Sequence, residues 1–228
     1  MAQQLAFDLP HREARGRGDF FVSTSNSAAM AMIEGWQGWP GRKLVLTGPS
    51  GAGKSHLAQV WADMAGAQVI AARDLAGADI PMLARGSVAL EDADALAGNA
   101  EAEAAAFHLH NLVLAEGGSL LITASAAPGR WGLSLPDLQS RMDGTQLVAI
   151  EPPDEALLAA VLVKQFADRQ IDAPLNLITY LTPRIDRSFA AARDMVARLD
   201  AAALAEARPV TRTLAARLLG EEGDDGQE

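Results

Sequence analysis

The chain has 228 residues, 49% of them hydrophobic, no cysteine and a net charge of −10 at pH 7; that supplies one ordinary core plus a smaller second one and excludes disulfides and thiolate-held metals. Acids outnumber bases 14 to 7 over 19–152, bases lead 9 to 8 over 153–220, and 221–228 holds 5 acids and no base, so no segment offers the dense basic surface that gripping a DNA backbone requires. No apolar run reaches the roughly 18–20 residues of a membrane span and no charged-then-apolar leader opens the chain, so a cytoplasmic protein without membrane contact is expected.

Residues 1–18 read as a tail. It carries Gln4-Leu5-Ala6-Phe7-Asp8-Leu9, where Leu5, Phe7 and Leu9 alternate with smaller or polar residues. A disordered tail cannot bury three large apolar side chains by itself. Pattern alone leaves two readings open: an extended peptide filling a partner's pockets, or an arm folded onto its own domain. Phe20 and Phe21 should pack at the domain edge. The run Ser23-Thr24-Ser25-Asn26-Ser27 is rich in N-cap residues and predicts a helix over 28–36. Trp36 and Trp39 close a loop before the next strand.

The run Lys43-Leu44-Val45-Leu46-Thr47 reads as a short buried strand. It leads into Gly48-Pro49-Ser50-Gly51-Ala52-Gly53-Lys54-Ser55, which fits G-x-x-x-x-G-K-[ST], the phosphate-binding P-loop. Residues 56–64 read as the helix behind it, ended by Gly66. Glycines let a backbone approach phosphate and turn its N–H groups inward, and the helix N-terminus adds partial positive charge. Lys54 is expected on the β- and γ-phosphates of ADP or ATP, and the Ser55 hydroxyl on Mg²⁺.

A second strand is expected over 68–72, then a partly helical connection to Leu83. Ser87-Val88-Ala89-Leu90-Glu91-Asp92 is an apolar strand ending in two carboxylates. In P-loop enzymes one such acid holds Mg²⁺ through water and the other orients or deprotonates the attacking water. Glu91 takes the metal side and Asp92 the water side, with Asp94 a third acid nearby. Residues 101–116 are strongly helical. His108 and His110 lie two apart and do not share a helix face, so surface or packing roles are expected; His11 and His56 gain none from pattern. The strand over 118–125 is nearly all apolar, hence central and parallel. Its terminal hydroxyls, Thr123 and Ser125, could sense phosphate or simply cap the strand. A loop and short helix over 131–141 end at Arg141, which has no obvious acid partner on its N-terminal side, although Asp143 is close, and Gln146–Ile150 forms the last strand.

Pro152-Pro153 divides the chain. Before it, strands and helices alternate; after it, helices are expected over 154–170, 174–181, 188–204 and 210–219. The fold class is α/β: a three-layer parallel sheet domain over 19–152, then a small all-α domain over 153–220. Residues 221–228 read as an acidic, frayed end.

With these residues in place the chain resembles the AAA+ ATPases, and within them the DnaA-related regulators of the Hda type, over nearly its whole length. Gly53-Lys54-Ser55-His56-Leu57 is similar to the P-loop of DnaA and Hda, which brings His56 among the nucleotide-binding positions. Leu120-Leu121-Ile122-Thr123 and Leu133-Ser134-Leu135-Pro136-Asp137-Leu138-Gln139-Ser140-Arg141 resemble the sensor 1 strand and box VII. The tail resembles the family's sliding-clamp-binding peptide, with Gln4, Leu5, Phe7 and Leu9 as its contacts. The resemblance implies an AAA+ base domain and a helical lid. It implies a regulator held on the DNA polymerase III sliding clamp (the beta subunit), which stimulates ATP hydrolysis by the initiator DnaA and so represses re-initiation of replication. Arg141 would be an arginine finger acting across a subunit boundary, in an assembly that includes homo-oligomers.

Two positions depart from the family. Alignment on Asp186-Arg187-Ser188-Phe189 puts Ala190 where the lid usually carries a sensor 2 arginine, with Arg187 or Arg193 as substitutes; Arg193 shares a helix face with Ala190. Glu91 stands where Asp is usual. Together they imply weak intrinsic ATP hydrolysis and a mainly structural or switching nucleotide. The alternative is a DnaA-like initiator or helicase-loader-type ATPase acting on origin DNA. Against it, the chain is expected to stop after the lid, leaving no residues for a helix-turn-helix domain.

Overall fold

Five short apolar runs form one sheet. The computed structural model describes residues 21–224, so the peptide at Gln4, Leu5, Phe7 and Leu9 lies outside the described residues. The strands are β1 (Lys43–Thr47), β2 (Gln68–Ala71), β3 (Val88–Glu91), β4 (Leu120–Ala124) and β5 (Gln146–Ala149). All pairings are parallel, in the order β2-β3-β4-β1-β5. The phosphate-loop strand β1 therefore lies between β4 and β5, with β4 central as its composition predicts.

Alternation along the strands builds two cores. Leu44 and Leu46 of β1 join Ala89 and Leu121 on one face, under α1 (Ser27–Glu34) and α2 (Lys54–Ala65). On that face Trp61 of α2 is fully buried, stacked on Trp39 at 5.3 Å and edge-on to Trp36 at 6.3 Å. The tryptophan loop is thus a packing element. Val45, Leu90 and Ile122 face the other way, under α3 (Ile80–Leu83), α4 (Ala100–Ala115) and α5 (Pro136–Asp143). Helix, sheet and helix make the three layers.

Pro152 and Pro153 end this unit. Glu151 N–H donates to Ser25 O at 3.0 Å, tying the exit of the sheet to the N-terminal segment. Asp154 then caps α6 (Glu155–Asp168), accepting from Leu157 N–H at 2.8 Å, and also accepts from Thr24 Oγ1 at 3.2 Å. These bonds hold its carboxyl below the usual range, the Leu157 N–H contributing most. Helices α6, α7 (Leu175–Leu181), α8 (Phe189–Glu206) and α9 (Arg212–Asp224) pack on a third core around Phe166, Leu177, Val196 and Leu199. Helix α9 runs to Asp224, so the end expected to fray from 221 begins as its last turn.

Among the described residues, no helix is long and apolar enough to cross a membrane.

Candidate functional site

The loop between β1 and α2 has the backbone that its glycines predict. Gly51 and Gly53 have φ of 73° and 103°, values open to glycine at little cost. Gly48 is held by proximity instead: a Cβ there would lie 2.7 Å from Ile150 O. Gly53 hands directly into α2, which starts at Lys54, two residues before the predicted start. The first N–H groups of a helix have no intrahelical partner, so Lys54 and Ser55 present theirs where the loop closes. Lys54 is almost buried, and its Nζ donates to Gly48 O at 2.8 Å and Pro49 O at 3.1 Å. An ammonium has three donors, so one remains for an anion.

Beside the loop lies a cavity of about 320 Å³, lined by Ser50, Lys54, Asp92, Asp94, Ala95 and Ser125. Pro49, Ser50 and Ser55 are exposed, while Ala52 is buried in the core beneath.

The acidic strand tip divides its two members. Asp92 turns into the left-handed region, at φ 54° and ψ 48°, and lines the cavity. Its N–H donates to Thr123 Oγ1 at 3.1 Å. Thr123 is fully buried. Its hydroxyl fixes an unusual backbone conformation, and it does not line the cavity. Glu91 is half-buried, outside the lining, with Oε1 buried and without a partner among the described residues. Asp94 accepts from both N–H and Oγ of Ser125. Ser125 is therefore the strand-end hydroxyl at the cavity, and Asp94 is committed to holding it.

These residues fit a nucleotide with Mg²⁺. Among the described residues no group of three His, Cys, Asp or Glu forms a protein-only cage. Mg²⁺ in phosphate sites uses one or two carboxylates, water and the phosphates themselves. Ser55, Asp92 and the orphaned oxygen of Glu91 suit that donor set. The ion would supply charge neutralisation at the phosphates.

The lid touches the loop directly. Phe189 N–H donates to Gly51 O at 2.8 Å. A Cβ at Gly51 would lie 2.8 Å from Ser188 Cβ and 3.3 Å from Ala190 Cβ; one at Gly53 would lie 2.7 Å from Phe189 Cε2. Position 190 thus faces the P-loop, and its alanine brings no charge there. Arg187 pairs with Glu155 Oε1 at 2.9 Å and Arg193 with Asp194 at 3.8 Å. Neither lines the cavity; nor does His56, half-buried in the first turn of α2. The Ser188–Phe189 contact was not foreseen, because nothing local marks a lid residue that meets the loop 136 positions earlier.

Arg141 sits at the opposite edge of the sheet. Helix α5 runs down to β5, so its last turn lies beside the start of β1. There Lys43 Nζ donates to Arg141 O at 2.9 Å. Lys43 and Thr47 are four strand steps apart, about 13 Å, and the P-loop lies beyond Thr47. Arg141 is exposed, and no described carboxylate pairs with it; Asp143, the nearby acid, accepts from Gln139 Nε2 at 2.9 Å. His110 is buried and its Nε2 lies 3.3 Å from Lys43 Nζ, whereas His108 is exposed.

No protein-family model matches the chain. Solved structures do. Domain III of the replication initiation protein DnaA from Thermotoga maritima aligns at 19% identity and TM-score 0.77, over 93% of this chain and 98% of that one. The chain has the AAA+ P-loop fold. AMPPCP-bound DnaA from Aquifex aeolicus aligns at 19% identity and TM-score 0.67, over 83% of this chain and 66% of that chain, so the match spans about two thirds of it. The Thermotoga maritima RuvB Holliday junction branch migration motor aligns at 15% identity and TM-score 0.69, over 89% of this chain and 70% of that one.

Proposed function

We propose that this chain is a nucleotide-binding AAA+ regulator that stimulates ATP hydrolysis by DnaA while held on the DNA polymerase sliding clamp. It holds ADP or ATP with Mg²⁺ at Lys54 and Ser55 and hydrolyses it slowly. Through Arg141 it acts on the nucleotide of the neighbouring subunit, in the cytoplasm. The clamp contact is assigned to Gln4, Leu5, Phe7 and Leu9, and the chain is assigned a homo-oligomeric state.

One observation carries this reading: the exposed Arg141, without an acid partner among the described residues, stands at the sheet edge remote from its own P-loop. A guanidinium there is out of reach of its own phosphates and open to another subunit's. Such a cation contributes about 10³–10⁵ in rate to phosphoryl transfer. The lid contact adds support, because Gly51 and Gly53 are packed against Ser188 and Phe189. Nucleotide in the loop would therefore set the lid rather than drive turnover. The test is ATP hydrolysis by DnaA with this chain, with and without clamp on DNA. Acceleration that requires the clamp is expected; acceleration equal without the clamp removes the clamp from the function, and none at all removes DnaA.

A further inference from the structure

We propose that Glu103 and Lys43 are positioning residues that clamp the two ends of α5 and so fix where Arg141 points. This rests on the trans-acting reading of Arg141.

Glu103 is 1% exposed. Its Oε2 accepts from Ser134 N–H at 2.8 Å and Leu135 N–H at 2.7 Å, while Oε1 is buried without a partner among the described residues. A carboxylate buried with half its hydrogen-bonding capacity unused is costly. Here it stands at the N-terminus of α5, where the helix's partial positive charge favours it. Leu135, the N-cap residue, has no side chain able to cap, and Pro136 follows. Glu103 does not reach the helix's own first N–H groups; from α4 it holds the backbone of the two residues that lead into the helix.

The other end is held from the same helix. His110 follows Glu103 by seven residues, two turns on one face, about 10 Å along the axis. Its Nδ1 faces Asn111 Oδ1 at 3.2 Å, which leaves Nε2 to accept from Lys43 Nζ at 3.3 Å. Lys43 also donates to Arg141 O, which accepts from Thr145 Oγ1 at 2.8 Å as well. From Leu135 to Arg141 is about the same 10 Å. The two parallel helices are therefore pinned at matching heights, one pin at each end.

An eight-residue helix is not stable alone, and the Arg141 guanidinium makes no anchoring contact among the described residues. Fixing the backbone beneath it is the remaining way to aim a guanidinium at a phosphate, where small misplacements are expensive in rate.

The experiment uses the full chain and the variants Glu103→Ala, Glu103→Gln, Lys43→Met and Arg141→Ala. Amide hydrogen exchange of the free protein should quicken at least about tenfold over 134–143 in Glu103→Ala, with β1 and α2 unchanged. In clamp-dependent stimulation of DnaA, Glu103→Ala and Lys43→Met should lower the maximal rate about tenfold to a hundredfold, leaving the half-saturating concentration unchanged. Glu103→Gln should restore most of the rate, because one amide oxygen can still accept both N–H groups. Unchanged exchange over 134–143 overturns the proposal. So does a loss confined to the half-saturating concentration, or Glu103→Gln behaving like Glu103→Ala. If Glu103→Ala does not fold, Lys43→Met at the more open end carries the same two measurements. If Arg141→Ala stimulates fully, the trans-acting reading fails, and the exchange measurement still decides the clamp on α5.

Discussion

The two edges of the sheet hold their key cations in opposite ways. At the C-terminal edge Lys54 is nearly buried and bonded to two carbonyls of its own loop, with Asp92 and Asp94 close by and the lid packed overhead. At the N-terminal edge Arg141 is exposed and lacks a carboxylate among the described residues; its backbone is fixed instead. The first arrangement suits holding an anion. The second suits offering a charge outward, with the burial and hydrogen bonds placed one layer beneath. On the proposed function, one fold would keep a nucleotide of its own and act on another.

The comparison can be broken first at Arg141. Arg141→Ala should lower stimulated hydrolysis by DnaA about a thousandfold while calorimetry finds its own nucleotide affinity unchanged; loss of affinity would mean the edges are not separate. Lys54→Ala should do the reverse, weakening nucleotide binding about tenfold to a hundredfold, as expected for a charge-assisted contact. Phe189→Ala removes a half-buried ring from Gly53 and should cost about 1–2 kcal/mol of lid stability. Thermal unfolding and a distance probe between base and lid would read it; an unchanged lid distance would disconnect the lid from the loop.

The smallest effect concerns pH. Burial pushes His110 below its ordinary 6.5, with Lys43 and Arg141 adding to the shift and the Asn111 hydrogen bond opposing it. Burial and Arg141 likewise lower Lys43. The fold favours neutral His110, so its contribution is complete above pH 6.5 and is lost as pH falls through 6.5 towards the lower folded value. The melting temperature should fall between pH 7.5 and 5.5, less steeply in His110→Gln; identical slopes would mean that other groups dominate.

Much of this was legible in the residues. The P-loop, the acidic strand tip and the change after Pro152-Pro153 were all readable because each is a local pattern: a glycine spacing, a strand end, a shift of period. The parallel sheet followed from strands alternating with helices. What escaped was non-local. Thr123 read as either a phosphate sensor or a strand cap, but its hydroxyl accepts from the backbone N–H of Asp92 across the sheet. Asp94 looked like a spare acid, but it bonds Ser125, 31 residues later. Glu103 was indistinguishable from Glu101 on an alanine-rich helix. The phase of Ala106, Leu109 and Val113 held the signal, since it turns Glu103 and His110 to the buried side.

The claim that the two edges serve two different nucleotides is tested most directly by single-turnover hydrolysis with labelled ATP placed on one protein at a time. DnaA and this chain would be combined on clamp-loaded DNA. The account predicts that label bound to DnaA is hydrolysed rapidly, while label bound at Lys54 of this chain persists. Rapid loss of the label on this chain, with the label on DnaA retained, would contradict it.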